Sequence, residues 1–360
     1  MKRRKINESI YTENLTFQLT AAEENLAAQV LACNETITLQ DFPVVLPGPT
    51  KTLPLYSPDT IKSLISTANT YILNPFYLKT KQSNINPKMT FILTDWMMEV
   101  CSDFHFLRET FHLSLFYVHS YLSSTENLPV TRLQLLGLGA VVLAAKFNEM
   151  RVPRLADAAK CAADCYTVDQ LETMEIEIIN TLAWRLAPTT TFFWTNLYAT
   201  QWDEFSKDTE CANMKFKEMS EDSYKRYRLL MQIVDLMSME VEHLQYNQRI
   251  LAGSSIYIVL SMYQYTVEEI LKIFTKGSKF IFEPNIFNKA FECFAKTFLE
   301  FSLEELLPGV QYLATFVDMP FEDDDLMKWK GTLSNYEEML CTQTYNRYQL
   351  DYFCARHTNS

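Results

Sequence analysis

Glycine is scarce in this sequence, with only 7 residues among 360, whereas an average protein has about 7% glycine. Tight turns and strand connections draw on glycine, so this scarcity argues against a fold rich in sheets. Leu, Ala, Met, Lys and Glu, which favour helices, are plentiful. With 48% hydrophobic residues, the composition predicts an all-α chain that buries a full core.

Basic surface is also missing. The formal net charge is −12 and the sequence pI is near 5.0, and no predicted helix carries a face rich in Lys and Arg. Such a molecule repels phosphate backbones, which argues against nucleic acid as a direct partner.

A secretory signal and a membrane span are not expected either. The basic start, residues 1–5, is followed by Asn7, Glu8 and Glu13 where a signal peptide would have an apolar run. No segment is expected to cross a membrane. The basic cluster fits a nuclear import signal as well as a solvated terminus, so we expect the nucleus, with the cytoplasm as a second location.

Motifs for metal binding and catalysis are absent. Of the 8 cysteines, the close pair Cys161 and Cys165 lacks a second pair or a nearby His, so reduced intracellular thiols are expected rather than zinc. His105, His112 and His119 recur every seven residues, but a helix drifts over that span. The sequence has no Gly-rich phosphate loop, no Gly-x-Ser-x-Gly elbow and no paired-carboxylate motif in a plausible cleft. We expect no enzyme, no metal and no cofactor.

Proline and polar residues divide the chain. Pro43, Pro47, Pro49 and Pro54 exclude long helices near the start, and Ser57-Pro58 caps the first predicted helix. We predict a flexible arm at 1–56, an N-terminal helix and a first helical unit at 57–187, a second unit at 188–316 and a tail at 317–360. Apolar periodicity predicts five helices in each unit. They lie at 89–100, 108–122, 132–147, 155–162 and 168–182, then at 192–202, 223–241, 248–262, 267–274 and 285–301.

The first unit resembles the cyclin box through five ordered motifs. The likeness of the second unit is fainter and rests on residues 250–257. Three of the motifs, at 87–89, 108–111 and 133–136, look most like E-type cyclins of the G1/S transition. The motifs of the first unit are residues 86–100, 108–111, 133–136, 143–153 and 174–188.

The resemblance implies two tandem five-helix cyclin boxes in a regulatory subunit. Such a subunit binds and activates a cyclin-dependent kinase by rotating the kinase's glutamate-bearing helix inward, and it recruits substrates. A rigid wedge that binds only the active kinase state would shift the kinase population by its differential affinity.

A kinase-contact surface is implied around Lys146 and Glu175, which match the family's charged pair at the family's spacing. Lys supplies donors and Glu acceptors for backbone groups of a partner; the alternative is an exposed salt bridge worth under ~1 kcal/mol. From periodicity alone, the neighbouring apolar residues are more typical of ordinary core. The matching apolar contacts are Leu143, Phe147, Ile179, Trp184 and Leu186.

A second implied surface is a docking cleft for Arg-x-Leu peptides of substrates or inhibitors. Glu99 would receive the basic residue of the peptide and an apolar stripe its Leu. From periodicity alone, the stripe is more typical of core. The cleft residues are Met89, Ile92, Leu93, Trp96, Glu99 and Gln134.

Two positions depart from the family together. Thr90 replaces the usual Arg of the opening helix, and His119 replaces the Asp that pairs with it. Because both partners are replaced, we expect a folded box with a Thr-to-His hydrogen bond or plain packing. The departure motivates one alternative, a cyclin-like scaffold that does not activate. A cyclin-fold transcription factor is a second alternative, but it would need the missing basic face.

Overall fold

The computed structural model describes residues 57–208, 214–217, 220–274 and 286–317. Within these ranges the structure is helical and contains no strand, which confirms the all-α prediction. The predicted arm at 1–56 and the tail from 318 lie outside the described residues. The α-helices are α1 (Pro58–Ala68), α2 (Tyr77–Thr80), α3 (Pro87–Asp103), α4 (Arg108–Ser124), α5 (Leu133–Asn148), α6 (Leu155–Cys161), α7 (Val168–Thr181), α8 (Thr191–Phe205), α9 (Glu221–Met239), α10 (Gln248–Ser261), α11 (Val267–Phe274), α12 (Ile286–Phe294) and α13 (Leu303–Ala314).

Capping residues begin the helices that carry the candidate sites. The Asn86 side chain accepts the Met89 N–H at 2.9 Å, and Pro87 takes the first position of α3. Thr167 and Gln170 form a reciprocal capping box at the start of α7. These side chains satisfy backbone N–H groups that have no partner within the helix, so both starts are encoded locally.

Helix α5 is the centre of the first unit and packs against α3, α4 and α7. Two glycines permit this approach: a Cβ at Gly137 would lie 2.7 Å from Leu93, and one at Gly139 would lie 2.9 Å from Met174. Larger residues would force the neighbouring side chains to shift.

The same region is apolar enough to resemble a membrane span, which the sequence-based expectation overlooked. The segment Val130–Asn148 has the length and composition to cross a membrane, but 67% of the most apolar stretch is buried inside the fold. Burial at the centre of the unit explains its composition.

The second unit is organised around α10, which packs most closely against α8 and α13. Here the structure differs from the predicted helix at 285–301. The helix α12 passes into a π-turn at Ala295–Leu299, and Glu300 turns the chain with a φ of 60°. Ser302 and Glu305 then cap the additional helix α13. The left-handed residue separates α12 from α13, a helix that apolar periodicity had missed.

Helix α1 does not stand alone. Its apolar face, Leu64, Ile65 and Ala68, packs against the hydrophobic core of the second unit. The N-terminal helix therefore precedes the first unit in sequence but contacts the second in space.

A buried ion pair joins the two units. Arg108 of α4 pairs with Asp235 of α9, and their side chains are 4% and 0% exposed. His112, one turn further along α4, places Nε2 2.9 Å from the second Asp235 oxygen. Burial first, and the Arg108 charge second, lower the pKa of His112, so a neutral imidazole donates to the carboxylate.

Two further features strengthen the junction between the units. Thr190, the N-cap of α8, donates its hydroxyl to Glu109 of α4 at 2.8 Å, and burial raises the pKa of Glu109 to about 8. Phe91 of α3 belongs to the second core, whereas Val241, which follows α9, belongs to the first. The two units thus form a continuous body.

Replacing Asp235 with Ala should lower the free energy of unfolding by about 3–5 kcal/mol, because the change leaves the Arg108 charge buried and unpaired. Urea denaturation measures this. The double variant Arg108→Met with Asp235→Leu removes both charges and should recover most of the loss. A single variant within about 1 kcal/mol of wild type would show that the pair does not stabilise the junction.

Candidate functional site

The two charged residues of the implied kinase-contact surface meet in space. Lys146 lies in the last turn of α5 and Glu175 in the middle of α7, and the Lys146 ammonium donates to Glu175 Oε2 at 2.7 Å. The side chains are 45% and 7% exposed. The cation therefore reaches solvent while the carboxylate lies below it.

The carboxylate of Glu175 is only half satisfied. Its second oxygen, Oε1, is buried and has no hydrogen-bond partner. An unpaired buried acceptor is costly, and a hydrogen bond to an ionised group is worth about 1.5–3 kcal/mol. A small rotation of the carboxylate toward a peptide N–H of a partner would remove that cost. The pair can therefore offer one acceptor and one ammonium to a second backbone.

Two of the implied kinase-contact residues have large apolar side chains that are exposed. Phe147 follows Lys146 and is 52% exposed, and Trp184 follows α7 and is 74% exposed. Ala183 and Trp184 have φ values of 49° and 63°, a left-handed conformation that costs non-glycine residues about 1–2 kcal/mol each. Here the chain reverses after α7 and leaves the indole in solvent, where a partner could bury it.

The other implied kinase contacts lie deeper. Leu143 is buried in the first core, and Ile179 and Leu186 are partly buried against it. The Leu186 carbonyl also accepts the Tyr117 hydroxyl at 2.7 Å. In the free chain these three residues support the surface from below, as the core interpretation proposes; their contact with a kinase stays a prediction.

Sequence reasoning missed three further exposed apolar residues that are close in sequence to Lys146 or Glu175. Met150 and Val152 follow α5 and are 102% and 40% exposed, and Ile176, beside Glu175 on α7, is 59% exposed. Ile176 gave a usable signal, because it lies outside the apolar stripe of Leu171 and Ile178. No comparable signal marks Met150 or Val152.

Glu149 anchors the loop that follows α5. Its Oε1 accepts the Leu107 N–H at 2.7 Å and the Thr110 hydroxyl. These donors lie at the start of α4, so the carboxylate caps that helix from another part of the chain. The loop that presents Met150 is thereby attached to the first unit.

The implied docking residues lie on α3 and at the start of α5. Met89, Trp96 and Glu99 are partly exposed, as is Gln134 of α5, whose Oε1 lies 3.4 Å from the Tyr166 hydroxyl. Ile92 and Leu93 are buried, at 9% and 6% exposure. The six residues lie on two helices, α3 and α5, that pack against each other. Peptide docking there stays a prediction.

The departures at Thr90 and His119 are accommodated separately. The Thr90 hydroxyl donates to the Pro87 carbonyl in its own helix at 2.8 Å. His119 Nδ1 lies 2.9 Å from the Tyr77 hydroxyl. Thus the Thr-to-His hydrogen bond that we considered is not formed, because each side chain has a nearer partner.

The histidines of α4 likewise have separate environments. His112 contacts Asp235 and His119 contacts Tyr77, whereas His105 is exposed before α4. Among the residues that the structure describes, no group of three His, Cys, Asp or Glu side chains could hold a metal ion.

Comparison with known proteins identifies relatives for the first unit. Residues 59–187 match the family model described as Cyclin, N-terminal domain. The chain is 29% identical over 199 residues to G1/S-specific cyclin-E1 of Gallus gallus, covering 55% of this chain and 47% of that protein. It is 33% identical over 172 residues to G1/S-specific cyclin-E of Caenorhabditis elegans, covering 46% and 32%. The chain thus spans less than half the length of these relatives.

A solved structure gives the matching fold. A viral cyclin from herpesvirus saimiri aligns with a TM-score of 0.51 over 72% of this chain and 97% of that chain. The sequence identity is 14%, so this likeness concerns the fold alone.

Replacing Thr90 with Arg should destabilise the protein. Thr90 is 2% exposed, and position 119 holds His in place of the Asp that would pair with an Arg, so the variant would bury an unpaired charge at a cost of about 3–5 kcal/mol. Thermal melting measures the effect, and the exposed change Thr173→Arg on α7 serves as the control. An unchanged or higher melting temperature for Thr90→Arg would refute the expectation.

Proposed function

We propose that this chain, which belongs to the cyclin family through its N-terminal domain at residues 59–187, is a regulatory subunit that binds and activates a cyclin-dependent protein kinase. It has no catalytic centre of its own in this proposal. The observation that carries it is the Lys146–Glu175 pair with its unsatisfied acceptor, together with the exposed Phe147, which follows Lys146, and the exposed Trp184, which follows α7.

The surface has the properties of a protein-binding hot spot. Phe147, Met150, Ile176 and Trp184 expose apolar area that a partner can remove from water at roughly 25 cal/mol per Å². Aromatic anchors surrounding a charged pair give both binding energy and orientation. Such a surface fits a helix of a partner whose backbone groups meet Lys146 and Glu175.

Activation requires that binding favour one kinase state. Kinases need a Lys–Glu ion pair to orient the ATP phosphates, and the position of one helix controls this pair. A rigid body shifts that equilibrium only by its differential affinity for the two positions. The continuous two-unit body, joined through Arg108 and Asp235, supplies the necessary rigidity.

The E-type relatives support a place for this chain in cell-cycle control, and we extend the proposal to the G1/S transition. The basic cluster at residues 1–5 supports a nuclear location.

Metal and cofactor play no part in the proposal. Direct contact with nucleic acid or a membrane also has no part, because the net charge is −12 and the apolar helix α5 is buried in the first unit.

A scaffold that binds the kinase without activating it is the second candidate. It is motivated by Thr90 and His119, which replace the family's buried ion pair next to the implied docking helix. Binding without stimulated phosphorylation would favour this scaffold. A cyclin-fold transcription factor would instead bind DNA, against the charge of the chain.

The test mixes the purified chain with a monomeric cyclin-dependent kinase and measures histone phosphorylation. Strong stimulation is expected, and Lys146→Ala with Glu175→Ala should reduce it about tenfold or more, because charge-assisted hydrogen bonds to the kinase are lost.

The matched control is Arg132→Ala with Glu177→Ala, which removes another partly exposed ion pair, with a separation of 2.9 Å, from the same unit. It should leave stimulation within about twofold of wild type, as most surface pairs contribute under about 1 kcal/mol. Equal losses in both double variants would contradict a specific role for Lys146 and Glu175.

Recruitment through α3 can be tested separately. Glu99→Gln with Gln134→Ala should raise the KM for a substrate bearing an Arg-x-Leu peptide about tenfold, because a hydrogen bond to a charged group is lost. The KM for a short substrate without that peptide should not change. Equal effects on both substrates would show that these residues do not form a docking cleft.

A further inference from the structure

Two histidines from different units face each other at the junction. His119 belongs to α4, and His243 belongs to the junction turn, Val241–Gln245, which connects α9 to α10. Their ring centroids are 5.6 Å apart and the rings are inclined by 67°. Both histidines line a cleft between the units, together with His112, Thr190 and Ser238.

The hydrogen bonds of this pair suit neutral rings. His119 Nδ1 contacts the Tyr77 hydroxyl at 2.9 Å, and its Nε2 is buried without a partner. His243 Nδ1 lies 2.6 Å from the Glu240 carbonyl, so this nitrogen carries the hydrogen and donates it. Neither ring has a hydrogen-bonded carboxylate that would compensate a positive charge on it.

The electrostatic surroundings agree with the geometry. Burial, with the neighbouring His243 as a second cause, lowers the pKa of His119 to about 3. Burial also lowers the pKa of His243 and outweighs the opposing influence of the Glu240 carbonyl and the Glu242 carboxylate. Both imidazoles are therefore neutral in the folded protein near neutral pH.

We propose that the His119–His243 pair makes the junction between the two units sensitive to acid, so that protonation of either ring opens the packing of the junction turn against α4. A positive charge on the buried His119, or on the partly exposed His243, would lie in the cleft between the units beside a second imidazole. Opening would expose the charged ring further to water and relieve the penalty.

The other charged and titratable groups at this junction do not remove the penalty. Asp235 is already paired with Arg108 and His112, so its carboxylate is committed to them. The Glu242 carboxylate favours a charged His243, but the effect of burial on the pKa of His243 outweighs it. The groups that face the pair or lie beside it are Tyr77 on α2, Arg108, Glu109 and His112 on α4, Asp235 on α9, and Glu240 and Glu242 at the turn.

The direction of the pH effect follows from proton linkage. In the closed junction the rings bind a proton less readily than in the open state, where the ordinary histidine pKa is near 6.5. The closed state is thus fully favoured above about pH 6.5 and loses stability as the pH falls below it. Each such histidine makes opening about tenfold more favourable per pH unit in that range.

Hydrogen exchange of the full chain, measured at pH 7.5 and 5.5 and corrected for the intrinsic exchange rate, tests the proposal. Amides of the junction turn should lose at least about tenfold more protection at pH 5.5 than amides of α5, which lies in the centre of the first unit. The double variant His119→Gln with His243→Gln cannot take up protons, so the two regions should then respond alike.

The control variant is His105→Asn, which replaces an exposed histidine with a φ of 55° by a residue that tolerates this conformation. It should retain the acid response of wild type. A junction turn that keeps its protection at pH 5.5, or a double variant that keeps the acid response, would overturn the proposal.

NMR titration of the imidazoles in the wild-type protein tests the proposal without requiring that any variant folds. Both His119 and His243 should remain neutral until the junction opens. Titration of either ring near pH 6.5 while the junction turn stays protected would overturn the proposal, because a protonated ring would then be tolerated in place.

Discussion

The buried pair of Arg108 and Asp235 is the constraint on which the arrangement of the two units depends. An ion pair with 4% and 0% exposed side chains is tolerable only when both charges are present and held in register, because an isolated buried charge costs several kcal/mol. This pair therefore allows one relative placement of α4 and α9. His112 and the Thr190–Glu109 hydrogen bond reinforce the same placement.

The candidate kinase surface benefits from this rigidity. Lys146 and Glu175 come from two helices that share a core, and Glu149 attaches the following loop to the start of α4. The exposed Phe147 and Trp184 are thus presented by a body that does not need to rearrange before binding. Preorganisation of this kind leaves more of the contact energy available for the conformational change in a partner.

Thr90 and His119 stand where the resemblance to cyclins implies a buried ion pair, and they give this chain its own chemistry at the junction. The two side chains do not bond to each other; Thr90 bonds within its helix, and His119 turns to Tyr77 and faces His243. Both positions hold neutral polar side chains, and the buried Nε2 of His119 has no hydrogen-bond partner. Fold and pH sensitivity are thereby linked at one position.

The sequence by itself determined the helical class and most helix positions. Those features follow from local physics: apolar periodicity, the caps at Asn86 and Thr167, and the low glycine content. The residues of the two candidate surfaces came only from the resemblance to cyclins, because apolar periodicity by itself favoured core at most of these positions. Only the tertiary structure decided that Leu143 is buried while Trp184 is exposed, that α1 packs on the second core, and that Asp235 pairs with Arg108. Exposure and the partners of buried polar groups depend on contacts between residues distant in the chain, which a local pattern does not encode.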